Sequence, residues 1–273
     1  MSNYWGNRIN SAQNRAANKG IDQINARIAK YYRRASKDII NDYIALYNQL
    51  IAELSADGEI SPNDLYRLDR FAQLQAKVAD KLKALTGQEN TAIIKGLQDA
   101  YTGISKAIDL PIKQSDIVFT VLSDAKSKAI ANSVWCADGK VWSQRIWQNT
   151  AQLQQSLEDG LIKTIVKGDS SAKLKAELRQ QFNVSFRQAD RLVRTEMTHV
   201  QTEAAADRYK DAGVTEYEIL VAEDERLCNE CGAMHGKRFP ITEKQPGINA
   251  PPFHPNCRCT IIPVLPDLAD SDE

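Results

Sequence analysis

Four of the five cysteines lie between Cys228 and Cys259, as Cys228-x-x-Cys231 followed by Cys257-x-Cys259, and His254 stands three residues before the second pair. Two short chelates of soft donors on either side of a loop are how a protein clamps a tetrahedral zinc ion. Cys228 and Cys231 are expected to donate from one knuckle. The other side offers His254, Cys257 and Cys259, one donor more than a four-coordinate site needs, and the spacing leaves the choice between them open. His254-x-x-Cys257 is the better chelate. The competing readings are a set of reduced packing thiols or a Cys257–Cys259 redox pair. If the metal is structural, its binding energy is folding energy for the region after Gly213, and the N-terminal helices are expected to survive its loss.

Other chemistry is sparse. The His-x-Glu and Pro-Cys-x-x-Cys signature of a zinc deaminase is absent, since Leu227 precedes Cys228. With as many as five protein donors, a metal here has little reason to keep an open position for catalysis. Glu196 and His199 sit one helical turn apart, and a solvated helix face explains them better than an acid/base pair does. Arg194 and Glu196 are expected to act as structural polar groups toward Asp224 or Arg226. Cys136, beside Trp135, reads as a bystander thiol. Lys163, Lys167, Lys173, Lys175, Arg179, Arg187, Arg191 and Arg194 gather in one stretch, against Asp169, Glu177 and Asp190. Such a run offers a DNA-contacting face that ignores sequence and weakens with salt.

Bulk properties narrow the class. The 273 residues carry 35 basic and 35 acidic side chains, so no global positive field marks a nucleic-acid binder. Hydrophobic content of 42 % is ordinary for a soluble globular protein. Residues 1–10 lack the apolar stretch of a leader, and no window is apolar enough to span a bilayer, so a chain made and kept in the cytosol is expected. Thiols there stay reduced, which favours metal over disulfides.

The elements that must position the cysteines are mostly helical. Ile21, Ile24, Ile28, Tyr31 and Ala35 recur at spacings of three and four, and Ile40, Tyr43, Ile44, Tyr47, Leu50, Ile51 and Leu54 extend the stripe. Ser55–Ile60 is expected to break it. Ser61 as N-cap and Pro62 at the first helical position restart a helix that Gly87 closes, and a third covers about 89–108. Leu110-Pro111 suggests a linker over 109–121. Helices then follow over 122–132, 141–167, 171–182 and 185–211, and strands over 216–221 and 260–264. The tail from Leu265 is too acidic to pack. The fold class is therefore mainly α, long helices in a bundle, with a small C-terminal zinc-stapled β-element. The organisation is a helical region over 1–108, a linker over 109–121, a domain over 122–264 whose zinc element spans about 214–264, and an acidic tail over 265–273.

Several motifs in order resemble one family. They are Trp142-Ser143-Gln144-Arg145-Ile146-Trp147, Ala189-Asp190-Arg191-Leu192-Val193-Arg194-Thr195-Glu196, Ala222-Glu223-Asp224-Glu225-Arg226, both cysteine knuckles, and His254-Pro255-Asn256-Cys257-Arg258-Cys259. Together they resemble the phage head morphogenesis family, the Mu F-like minor head proteins of tailed bacteriophages, over about 135–264. The resemblance implies a minor capsid protein with no catalytic residues, built into the procapsid near the portal vertex and assembled in the bacterial cytoplasm. Its implied partners are the portal protein, the major capsid or scaffold protein, and packaged double-stranded DNA. Alternatives are a zinc-dependent nuclease, transferase or effector built on the same module, and a zinc-stabilised DNA-binding protein.

Overall fold

The structure, a computed structural model, describes residues 4–57, 69–112, 120, 122–136, 138–222 and 224–264. About 73 % of the chain is helical, and the mainly α class holds. The helices are α1 (Tyr4–Asp57), α2 (Asp69–Ile112), α3 (Asp124–Ala131), α4 (Trp142–Val166), α5 (Ser171–Asp211) and the single turn α6 (Asn229–Gly232). Three strands follow α5: β1 (Glu216–Leu220), β2 (Arg238–Pro240) and β3 (Thr260–Pro263). The chain packs as two compact units. One takes 1–24, 93–142 and 191–273; the other takes 25–92 and 143–190.

Two expected helix ends are not ends. Gly87 was read as a stop, yet α2 runs through it, because Leu85, Thr86, Glu89, Ala92 and Ile93 keep one buried face on both sides of it. Asn183 was read as a break, yet Leu178, Phe182, Ser185 and Ala189 bury one continuous stripe and α5 stays whole. Tertiary burial overrides the weak local cost of a single glycine or asparagine. In α1 the buried seam passes through Ile28 and Tyr32 to Ile39, not through Tyr31 and Ala35. Residues 55–57 continue α1 and 109–112 continue α2, so neither the expected break at Ser55 nor a linker beginning at Asp109 holds there; the rest of the break, the Ser61-Pro62 restart, most of the linker and the 265–273 tail lie outside the described residues.

The unit of 25–92 and 143–190 is an up-down-up-down four-helix bundle, and its cross-links give the directions. Between α1 and α5, Asn25 reaches Asp190, Tyr32 reaches Ser185 at 3.1 Å, and Tyr47 donates to the Asp169 carbonyl at 2.5 Å. Rising numbers on one helix meet falling numbers on the other. The same opposition holds for α1 with α2 (Tyr32–Glu89, Asp42–Lys77) and for α2 with α4 (Thr86–Thr150, Gln75–Glu158). It closes with α4 against α5 (Asn149–Ser185, Lys163–Glu177). The antiparallel ring encloses Ile39, Tyr43, Leu50, Phe71, Val78, Leu82, Leu157, Leu161 and Leu178, all buried.

In the other unit, glycines let helices approach closely. Gly96 of α2 lies against Ile24 of α1, and Gly20 faces Met197 of α5 and Ala100 of α2. Gly213, at φ +74°, ends α5 with left-handed backbone; its N–H and that of Val214 bond back to Lys210 and Tyr209. The chain then enters an antiparallel sheet of order β2-β1-β3, with Tyr217 opposite Phe239 and Ile219 opposite Ile261. Strand β2 has no counterpart in the sequence reading, since three residues ending in proline give no periodicity to detect. Polar side chains fasten β3 to the helices. Gln13 of α1, fully buried, donates to Thr260 at 2.8 Å and to the Ile261 carbonyl at 3.0 Å. Tyr209 of α5 donates to the same carbonyl at 3.1 Å.

Candidate metal centre

The first knuckle is one helical turn. Cys228 caps α6, its sulfur accepting the Cys231 N–H at 3.4 Å, so the x-x spacing places both sulfurs at one end of that turn. The second is a loop turned by Asn256, whose φ of 68° is the left-handed backbone that asparagine tolerates. The Cys257 N–H closes the turn onto the His254 carbonyl at 3.1 Å. Helix α5 grips this loop from below. Thr195 Oγ1 accepts the Asn256 N–H at 2.9 Å, and the Thr198 hydroxyl donates to the Cys257 carbonyl at 2.7 Å.

The two knuckles converge. His254 Nε2 lies 3.2 Å from Cys228 Sγ and 3.0 Å from Cys231 Sγ, and Cys231 Sγ lies 3.8 Å from Cys257 Sγ. A zinc–sulfur distance of about 2.3 Å implies a tetrahedral sulfur–sulfur edge of about 3.8 Å and a sulfur–nitrogen edge of about 3.6 Å. The thiol edge matches, and the imidazole edges are short by a few tenths of an ångström. Two donor groups result, Cys228–Cys231–His254 and Cys231–Cys257–Cys259, each with its atoms within 4.8 Å of one another. The cluster could hold a metal ion, and Cys231 belongs to both groups. His254 Nδ1 faces the Pro255 carbonyl at 2.9 Å; donating there leaves the Nε2 lone pair free for a metal, the outer-shell arrangement of metal-binding histidines.

The thiols of the cluster act strongly on one another. The bond from the Cys259 thiol holds Cys257 well below the usual thiol range, and burial pushes Cys231 up. Cys259 is pushed up because its proton is shared with Cys257. The Cys231 N–H lowers Cys228. Burial opposes charging His254, but the Pro255 carbonyl and the facing thiols outweigh it and raise its pKa. These thiols cannot all ionise without a positive ion among them. The recess beside them holds about 30 Å³, lined by Ala222, Leu227, Asn256 and Arg258 among others. That is room for a water molecule, not for a substrate.

The polar groups near the site take partners that sequence spacing does not reveal. Arg258 makes two bonds to Asp224, one of them 2.7 Å, and they hold the Asp224 carboxyl far below its usual range; Arg226 lies 3.6 Å from the same carboxylate. Glu196, buried, accepts the Trp135 indole N–H at 3.0 Å. His199, also buried, stacks on Trp135 with ring centroids 5.1 Å apart, and its Nε2 lies 2.8 Å from Ser133 Oγ. The Ser133 hydroxyl also lies 2.8 Å from the Ile130 carbonyl, and the buried His199 Nδ1 has no bonding partner among the described residues. Burial drives the His199 pKa down to about 3. Spacing had suggested a solvated face for Glu196 and His199, and the structure buries both. Ser133 and Trp135, more than 60 residues away in the chain, carried no signal.

The basic residues divide. Lys163 pairs with Glu177 at 3.2 Å and Lys173 with Asp169 at 2.7 Å. All eight, including Lys167, Lys175, Arg179, Arg187, Arg191 and Arg194, are exposed. Cys136 is half-buried, apart from the metal-facing thiols. Among the described residues, no helix is long and apolar enough to cross a membrane.

Residues 155–262 match the family model described as phage Mu protein F like protein, the family that the sequence motifs resemble. No curated protein and no solved structure matches the chain. The match starts in α4, runs the length of α5 and ends in β3, so it contains the whole cysteine and histidine cluster. It covers less than half of the chain.

Proposed function

We propose that this chain is a minor capsid protein of a tailed phage, built into the procapsid near the portal, where it assists head assembly and DNA packaging or delivery. The observation that carries the reading is the family match over 155–262, because it takes in α5 and the cluster that α5 grips. On this reading Cys228, Cys231, His254 and Cys257 hold a structural zinc, Cys259 is the reserve donor, and the chain catalyses no reaction. The tetrahedral thiol edge, the orienting Pro255 carbonyl and the water-sized recess support a closed metal site. The domain over 122–264 acts as the head module, with its zinc element over 214–264. Its partners are the portal protein and the major capsid or scaffold protein. The exposed cations Lys167, Arg187, Arg191 and Arg194 contact packaged DNA without reading its sequence.

Purified heads, probed for this chain and assayed for zinc, test the proposal. The expected result is a few copies per particle that co-purify with the portal. Heads free of the chain sink the proposal and bring forward an effector built on the same module.

A further inference from the structure

One groove of the bundle plays no part in the role proposed above. It runs between α1 and α5 over Ala29–Asn41 and Lys175–Phe186 and holds about 560 Å³. Its rims carry Arg33 and Lys37 on one side and Lys175 and Arg179 on the other, all exposed. No acidic residue lines it. None of the four cations bonds to a described carboxylate, whereas their neighbours Lys163 and Lys173 are both paired. Like charges along one cleft set up a local positive field that favours a negative partner.

The register fixes the shape of that partner. Tyr32 opposite Ser185 and Tyr47 opposite Asp169 place Lys37 level with Arg179, while Arg33 lies one turn to one side and Lys175 one turn to the other. Each rim therefore presents its two cations at the i, i+4 spacing, about 6 Å apart. Acidic side chains on the flanks of a helix repeat with the same spacing. Between the rims, Ala29 and Phe186 leave apolar surface open at one end, Tyr32, Ile40 and Phe182 are buried beneath, and Ser36, Asn41 and Asn183 add polar lining. At about 1.5 Å per residue, the 13 α1 residues from Ala29 to Asn41 give a groove about 18 Å long, three helical turns. A DNA duplex offers cations its phosphates but nothing for that apolar surface.

We propose that this groove docks an amphipathic helix of a partner protein, with an apolar seam on Ala29 and Phe186 and acidic residues on both flanks held by Arg33, Lys37, Lys175 and Arg179. The proposal does not depend on the metal or on the head role.

The test uses the full chain and a labelled 14-residue helical peptide with a leucine seam and glutamates at i, i+4 on both flanks, followed by fluorescence anisotropy. The comparison peptide has lysine in place of every glutamate. Lys37→Glu/Arg179→Glu should weaken the acidic peptide at least about tenfold, while Lys83→Glu/Lys106→Glu, exposed charges elsewhere, changes it less than about twofold. Replacing the seam leucines by serine should also abolish binding. Equal binding of the acidic and basic peptides overturns the proposal. So does binding of a 16-base-pair duplex that is lost in Lys37→Glu/Arg179→Glu and displaces the peptide, which makes the groove a nucleic-acid surface. If deleting residues 265–273 tightens the peptide about tenfold, the groove belongs to the chain's own acidic end and no partner helix is needed.

Discussion

The hydroxyl of Thr198, inside α5, donates to the carbonyl of Cys257 over 2.7 Å. A helix side chain thus holds the backbone of a candidate metal ligand and ties the long helix to the cysteine loop. The hydroxyl also approaches the Arg194 carbonyl at 3.1 Å, but it has one proton, and the shorter contact takes it. Thr198→Val keeps the shape and removes the donor. The buried Cys257 carbonyl then goes unpaired, a loss of about 1–3 kcal/mol. Metal affinity should fall about tenfold or more, as for other outer-shell changes, read by competition with a chromogenic chelator.

The metal itself gives the next expectation. Protein purified without chelator should carry about one zinc per chain, and Cys228→Ala should carry little. The sequence alone suggests that losing the metal spares the N-terminal helices. The structure argues otherwise for part of α1, because Gln13 bonds to Thr260 and Ile261 of β3. On chelation, amide exchange should rise after Gly213 and also over about 9–21, while 28–50 keeps its protection. Unchanged protection at Gln13 would show that the staple is idle.

Glu89 is fully buried beside Tyr32, and burial raises its pKa to about 8. An acid raised in the fold is protonated in the native chain and ionised in the unfolded one between its ordinary 4.5 and about 8. Stability contributed by the neutral form is therefore greatest at low pH and is lost as pH climbs through that window. Melting temperatures measured from about pH 5 to about pH 9 should fall for the native sequence. In Glu89→Gln, which imitates the neutral acid, they should stay flatter and be higher at the alkaline end.

Two glycines of α2 should respond in opposite directions. A methyl group on Gly96 would run into the buried Ile24 side chain, whereas Gly103 has open space around it. Gly96→Ala should cost about 1–3 kcal/mol by overpacking. Gly103→Ala should gain about 0.5–1 kcal/mol from helix propensity. Urea unfolding of both variants checks the sign of each.

The cysteine and histidine cluster was legible because its signal is local: two short cysteine pairs and a histidine, each within four residues of a neighbour. The helices were legible as burial stripes, but their ends were not. Gly87 and Asn183 look like punctuation until Leu85 and Ile93, or Phe182 and Ser185, are seen buried on both sides. The contacts that place the site have no local trace. Thr195 and Thr198 are ordinary helix residues until Asn256 and Cys257 arrive about 60 residues later. Trp135, His199, Ser133 and Glu196 assemble in the same way, through packing between distant segments.

Interleaved segments bear on how the chain is made. The bundle of 25–92 and 143–190 has all its parts once synthesis has passed Asp190, whereas the other unit needs residues from both ends of the chain. Gln13 waits 247 residues for Thr260. On a ribosome Gln13 therefore emerges long before its partners in β3, although α5 reaches the same part of α1 earlier, through Gln201 on Asn14 and Met197 against Gly20. A nascent chain stalled before Thr260 lacks the two Gln13 bonds to β3 and should be more open to proteases around that residue.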